Sequence, residues 1–246
     1  MKKILIVFGT RPEAIKMAPL VKAFKNKNNF DTRVCVTAQH RQMLDQVLDI
    51  FEIVPEYDLN IMKAGQDLYD ITANVLIGMK SILVDFNPDI VLVHGDTTTT
   101  LASSLAAFYA KSKVGHVEAG LRTNDLYSPW PEEGNRQLTG ILADFHFAPT
   151  TQSEINLLKE GKKQEQVYVT GNTVIDALKY VLQKIEIDSN LKLKIKSKIS
   201  AEYPMNNEIM IILGTGHRCE NLGKGFINIC ECLNLIAQKI PDIVIV

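Results

Sequence analysis

Two short stretches of the chain set a histidine two residues before an acid: His94 and Asp96 in V-H-G-D-T-T-T-T, and His116 and Glu118 in G-H-V-E-A-G-L-R. Each follows an apolar run with strand character, and side chains two apart on a strand point the same way. A third acidic cluster, Glu132 and Glu133, opens what reads as a helix in S-P-W-P-E-E-G-N-R, which closes on Arg136. Carboxylates are rarely buried unless paired or functional. Two or three brought together would raise one pKa and leave another ionised, the arrangement that general acid–base chemistry needs. Taken alone, Asp96 reads as the N-cap of the Thr-rich helix start that follows it. Glu118 turns the reading toward a site, because it ends the next strand at an equivalent edge and is followed by the small Ala119 and Gly120.

Positive charge is supplied nearby in the pattern. Arg11 and Lys16 flank the start of the first helix, where backbone N–H groups already favour an anion such as a phosphate or carboxylate. Arg11 reads equally as a solvated side chain and Lys16 as a cover for a helix face. Gly214-Thr-Gly-His-Arg218 is a second glycine-rich turn suited to an anion, with His217 and Arg218 as polar anchors. Neither G-x-G-x-x-G nor G-x-x-x-x-G-K-[ST] occurs, which disfavours a nicotinamide enzyme or a P-loop kinase. Metal binding by the two H-x-[DE] pairs stays open as the lesser reading, since Arg11 and Lys16 already provide cations. His40 and His146 read as structural.

The elements that must position these residues alternate strand and helix. Lys3–Phe8 is a continuous apolar run, the mark of a strand buried on both faces of a parallel sheet. Thr10 and Glu13 then form a capping-box signature. Strands at 32–38, 90–93, 114–117, 145–148 and 167–169 alternate with helical patterns, which predicts an α/β fold with a doubly wound parallel sheet. Ligands of such sheets sit outside the carboxyl ends of the strands, and that rule selects 9–16, 39–41, 94–98, 116–122 and 214–220. The pattern restarts near 208 with a strand, a helix and a strand at 243–246. The expected domains are 1–170, Rossmann-like, and 171–246, the start of a second such unit. The chain stops in an apolar strand with no helix after it, so it reads as incomplete.

Composition narrows the partners. With 27 Lys and Arg against 28 Asp and Glu, the net charge of −1 gives no reason to expect nucleic acid or an anionic membrane. At 46% hydrophobic residues the chain can bury a substantial core. Four cysteines without a C-x-x-C spacing point to reduced thiols. No apolar run reaches the ~18 residues of a membrane helix, and the expected location is the cytoplasm.

At this point longer runs come together. F-G-T-R-P-E-A-I-K-M-A-P, V-T-A-Q-H-R-Q-M-L-D-Q, V-H-G-D-T-T-T-T, G-H-V-E-A-G-L-R, Y-S-P-W-P-E-E-G-N-R-Q-L-T-G and T-G-N-T-V-I-D-A-L resemble the non-hydrolysing bacterial UDP-N-acetylglucosamine 2-epimerases, from the first residue to the last. The resemblance implies a glycosyltransferase-B-type fold, two Rossmann-like domains with a nucleotide sugar between them. It implies interconversion of UDP-N-acetylglucosamine and UDP-N-acetylmannosamine through a 2-acetamidoglucal, with no metal or other cofactor. It assigns acid–base roles to Asp96, Glu118 and Glu132, and contacts with UDP or its departing charge to Arg11, Lys16 and His217, with Arg136 and Arg218 as further substrate-binding residues. Gln39, Gln42 and Gln66 lie where some members bind a second UDP-N-acetylglucosamine as activator, and a homodimer is expected of a complete chain. Cys219 replaces the second Arg of the family's G-H-R-R-E-N, and Gly65 stands where some activated members have Arg. Family chains are longer by roughly half again, so a UDP-sugar-binding remnant without catalysis is the alternative reading.

Overall fold

In a computed structural model of the chain, residues 1–37, 41–63, 65–203, 210–214, 224–240 and 243–246 are described, Arg41 and Gln42 by their backbone only. The alternation expected from the sequence is present. β1 (Lys2–Phe8), α1 (Arg11–Lys25), β2 (Phe30–Val36), α2 (Arg41–Phe51), β3 (Tyr57–Asp58), α3 (Leu68–Phe86), β4 (Ile90–His94), α4 (Thr98–Tyr109) and β5 (Lys113–Val117) follow in order. α5 (Glu132–Leu142), β6 (Phe145–Ala148), α6 (Thr151–Lys159), β7 (Val167–Val169) and α7 (Val174–Ile187) come next. Seven strands form one sheet in the order β3-β2-β1-β4-β5-β6-β7, and every pairing is parallel.

The continuous apolar strands are explained by what covers them. In β1, Ile4, Ile6 and Phe8 pack with Met17 and Val21 of α1 and Leu44 of α2. Leu5 and Val7 face the other way, against Val75 and Met79 of α3 and Ala102 and Ala106 of α4. β4 alternates likewise, Leu92 toward the α1 side and Val91 and Val93 toward α3 and α4. A strand with helices over both faces has no polar face to show.

The strand order reverses between β1 and β4, which lie side by side with Ile6 opposite Leu92. This is the switch point where the connections leaving the two carboxyl ends diverge and open a crevice. Gly9–Lys16 and His94–Thr98 both sit at it.

The first compact unit runs from Met1 to Val181 and the second from Leu182 to Val246. The first therefore extends past the boundary expected at 170. The reason lies in α7, whose Ala177 is buried in the α1–α2 core and whose Tyr180 stacks on Phe51 with ring centroids 5.0 Å apart. In the second unit, α8 (Ser189–Glu202) is capped by Asp188. There β8 (Met210–Ile212) and β9 (Ile243–Ile245) pair in parallel, joined in sequence by α9 (Lys224–Lys239). No helix among the described residues is long and apolar enough to cross a membrane.

Candidate active site

The turn after β1 is built first. Thr10 caps α1 and forms the expected capping box with Glu13. The Glu13 side chain reaches further than a local cap requires. One oxygen accepts from the Gly9 and Thr10 amides at 3.0 and 2.7 Å, and the other from the Thr97 and Thr100 hydroxyls at 2.6 and 3.2 Å. Glu13 is 3% exposed, and burial pushes its carboxyl upward against the pull of those donors. It thus ties the β1 turn to the start of α4 across the switch point. The turns approach closely here, for a Cβ on Gly9 would collide with the Thr37 and Thr99 hydroxyls.

At that crevice the candidate residues resolve into two ion pairs. Lys16 Nζ holds both oxygens of Glu118, at 2.7 and 2.6 Å. Arg136 Nη2 holds Asp96 Oδ2 at 2.6 Å, and its Nη1 reaches Glu133 Oε2 at 3.1 Å. Both pairs are mostly shielded from solvent, with side-chain exposures of 23% and 13% for the first and 14% and 27% for the second. Asn172, just before α7, donates to Glu118 Oε2 at 2.9 Å while its own Oδ1 accepts from the Val174 amide. Asn135 donates to the Asp96 backbone carbonyl at 2.8 Å.

Three expectations are corrected by this geometry. The first is the same-face reading of the H-x-[DE] pairs. β4 ends at His94 and β5 at Val117, and the chain then turns through Gly95 at φ +70° and Glu118 at φ +63°. Strand alternation does not carry across such a turn. His116 lies on a different face from Val117, and its Nε2 meets the Gly95 carbonyl at 2.7 Å, while Glu118 meets Lys16 instead. A non-glycine residue in the left-handed region is uncommon and clusters at functional sites. The second correction concerns the acids: the described bonds give Asp96 and Glu118 a cation each and link neither to another carboxylate. The third concerns the cap of α4, which is Thr97 and not Asp96, so the Asp96 side chain is available to Arg136.

The two glutamates that open α5 divide the work. Glu133 is fully buried, and accepts from the Thr123 and Asn124 amides and Gln137 as well as Arg136. Burial pushes its carboxyl up, but these donors outweigh that and hold it below the usual carboxylate range. Glu132 keeps a buried oxygen, Oε2, without a partner. Arg11 is exposed at the first position of α1. Gln66 accepts from the Lys63 amide at 2.8 Å and its Nε2 is buried without a partner. Gln39, the Gln42 side chain, His217, Arg218 and Cys219 lie outside the described residues.

The histidines line the strand ends behind the ion pairs. His116 and His146 are register partners on β5 and β6. Burial lowers His94 and His116 to about 3, with the Lys16 charge adding to the effect at His94. Burial likewise brings His146 to about 4. All three are neutral imidazoles at ordinary pH. Among the described residues no group of three or more His, Cys, Asp or Glu is placed to hold a metal ion. Asn172 and Asn135 were not singled out by the sequence, and Glu13 only as part of the helix cap. Thr170–Thr173 follows β7 at the same carboxyl edge, and extending the strand-end rule to that turn would have found Asn172.

Known proteins resemble the chain over nearly its whole length. The family described as UDP-N-acetylglucosamine 2-epimerase matches residues 22–246. The UDP-N-acetylglucosamine 2-epimerase of Campylobacter jejuni is 62% identical over 245 residues, covering 100% of this chain and 64% of that one. The Escherichia coli K12 epimerase is 58% identical over 99% of this chain and 64% of its own. Among solved structures, the Neisseria meningitidis epimerase bound to UDP-GlcNAc superposes with a TM-score of 0.90 at 53% identity, over 99% of this chain and 64% of that one. The Methanocaldococcus jannaschii enzyme in complex with UDP-GlcNAc and UDP gives 0.82 at 34% identity, over the same shares. The chain thus spans about 64% of the length of the relatives it matches. With a glycosyltransferase-B-type α/β fold and a family match over nearly its whole length, the chain belongs to the UDP-N-acetylglucosamine 2-epimerase family.

Proposed function

We propose that this site interconverts UDP-N-acetylglucosamine and UDP-N-acetylmannosamine by eliminating UDP and adding it back. The observation that carries the reading is the pair of cation-held carboxylates, Glu118 with Lys16 and Asp96 with Arg136, at the switch point of the sheet. In the elimination, Glu118 takes the proton from C2 of the sugar. The C2–H electron pair forms the C1=C2 bond of a 2-acetamidoglucal, and the C1–O bond breaks to release UDP. Re-addition reverses these events with a proton delivered to the opposite face of C2, for which Asp96 and Glu132 are the available acids. Glu132 Oε2, buried and unpartnered, is free to engage a ligand.

Charge supports the leaving group. Breaking C1–O builds negative charge on the diphosphate, and fixed cations stabilise it more as it forms. Lys16, Arg136 and the exposed Arg11 serve that end, and the resemblance assigns His217 and Arg218 to UDP as well. Gln39, Gln42 and Gln66 are assigned to a second UDP-N-acetylglucosamine acting as activator, and the complete protein to a homodimer. No cofactor is required by this chemistry.

The test is solvent exchange. UDP-N-acetylglucosamine incubated with the protein in heavy water should gain deuterium at C2, and Glu118→Gln should abolish the exchange. Binding of UDP with no deuterium at C2 would overturn the reading.

A further inference from the structure

One nitrogen in this site has no assigned work. His94 Nε2 is buried, has no hydrogen-bond partner, and lies 3.8 Å from Glu118 Oε2. With the ring proton on Nδ1, Nε2 has no hydrogen to donate. A neutral imidazole has one donor and one acceptor nitrogen, so Nε2 presents a lone pair to the carboxylate.

We propose that His94 is a positioning residue for the protonated form of Glu118, its Nε2 accepting the hydrogen bond of the carboxyl group once Glu118 has taken the substrate's proton. This rests on the proposed role of Glu118 at C2. As a carboxylate, Glu118 gains nothing from a facing lone pair. As a carboxylic acid it gains a buried hydrogen bond, so His94 favours only the state that follows proton abstraction, and only such differential interactions accelerate the step. The proton stays on Glu118 until it exchanges with solvent; nothing is transferred to His94.

Lys16 makes the arrangement conditional. Glu118 Oε2 already accepts from Lys16 at 2.6 Å and Asn172 at 2.9 Å, which occupies its lone pairs. A proton aimed at His94 needs Lys16 to let go, and Lys16 is the group an arriving diphosphate attracts. The titratable groups around the pair are Lys16 from α1 and, beyond His94, His116 on β5, which is itself neutral. Burial keeps His94 from becoming a proton acceptor in its own right.

The test compares His94→Phe, which keeps a ring and removes the lone pair, with His94→Gln, whose side-chain oxygen can accept. Nitrogen NMR of the unmodified protein should show His94 protonated at Nδ1 and bare at Nε2; a proton on Nε2 overturns the proposal. Carboxyl-carbon NMR should show the Glu118 midpoint falling by about one pH unit in His94→Phe, a tenfold change in the balance of its two states, and recovering in His94→Gln. In turnover, His94→Phe should lower kcat roughly tenfold with KM for UDP-N-acetylglucosamine little changed, and move the acid limb of the kcat profile to lower pH. A merely structural histidine would alter the melting temperature without moving that limb. An unmoved Glu118 midpoint in a folded His94→Phe protein, or equal losses in both variants, refutes the idea. The NMR arms need no turnover, so an absence of C2 exchange in the unmodified protein would strike the epimerase reading and leave these results readable.

Discussion

Removing the Glu13 side chain should destabilise the first unit while leaving the ion pairs in place. Four donors converge on this carboxylate, the Gly9 and Thr10 amides and the Thr97 and Thr100 hydroxyls. They are not equivalent. The hydroxyls rotate, stand 3.2 Å from each other, and Thr100 has a second acceptor in the His94 carbonyl, so both keep partners when Glu13 is lost. The two amides are fixed by the turn and keep none. An orphaned buried donor costs about 1–3 kcal/mol, and Thr10 is only partly buried, so Glu13→Ala should lose roughly 2–4 kcal/mol before any cavity is counted. In a unit of this size that lowers the melting temperature by roughly 4–16 °C. Glu13→Gln is the informative partner. Its oxygen can face the amides while its NH2 donates to hydroxyls that turn round to accept, so every group keeps a partner. It should lose only about 1 kcal/mol, the difference between charged and neutral acceptors. Thermal and urea denaturation followed by circular dichroism measure both. Equal losses in the two variants, or an alanine variant within about 1 kcal/mol of the unmodified protein, would show that the amides are not held as described.

Glu133 carries a pH signature. Its donors hold its pKa below the unfolded value of about 4.3, so its contribution is fully present above that value and is lost as pH falls through the folded one. Glu133→Gln should flatten the decline of the urea midpoint below about pH 4.3, and an unchanged slope would refute this. Two glycines should respond with opposite sign. Gly120 sits at φ +87° with the Ser153 carbonyl where a Cβ would go, so Gly120→Ala should lose roughly 2–5 kcal/mol in urea denaturation. Gly134, inside α5 with open space around it, should gain up to about 1 kcal/mol as alanine; a shared sign would contradict the local geometry.

What the sequence showed and what it hid have separate physical causes. The buried strands were legible because alternation and apolar runs are local, and so was the capping box of Thr10 and Glu13. The second task of Glu13 was hidden. It depends on β1 lying beside β4, and the order of strands in a sheet is a long-range fact that no window of residues contains. The i, i+2 argument for His116 and Glu118 failed for a related reason. Alternation holds only while the strand continues, and Gly95 announced its turn whereas Glu118 adopts a left-handed backbone with a side chain that gives no warning. One half of the Asn172 amide serves the Val174 amide at the helix start and the other half serves Glu118, a pairing no local window contains.

The convergence of carboxylates that first marked the chain is therefore a convergence of carboxylate–cation pairs, and the difference bears on catalysis. Two acids sharing a proton would be set for proton transfer before any ligand arrived. Two acids each clasped by a cation at 2.6 Å have those oxygens engaged until the cations are drawn elsewhere. On the proposed reading the substrate brings what draws them, a diphosphate that competes for Lys16 and Arg136. Binding energy at the phosphate end is then spent on freeing a base at the sugar end, so a sugar without its diphosphate should leave Glu118 clasped and its C2 proton in place.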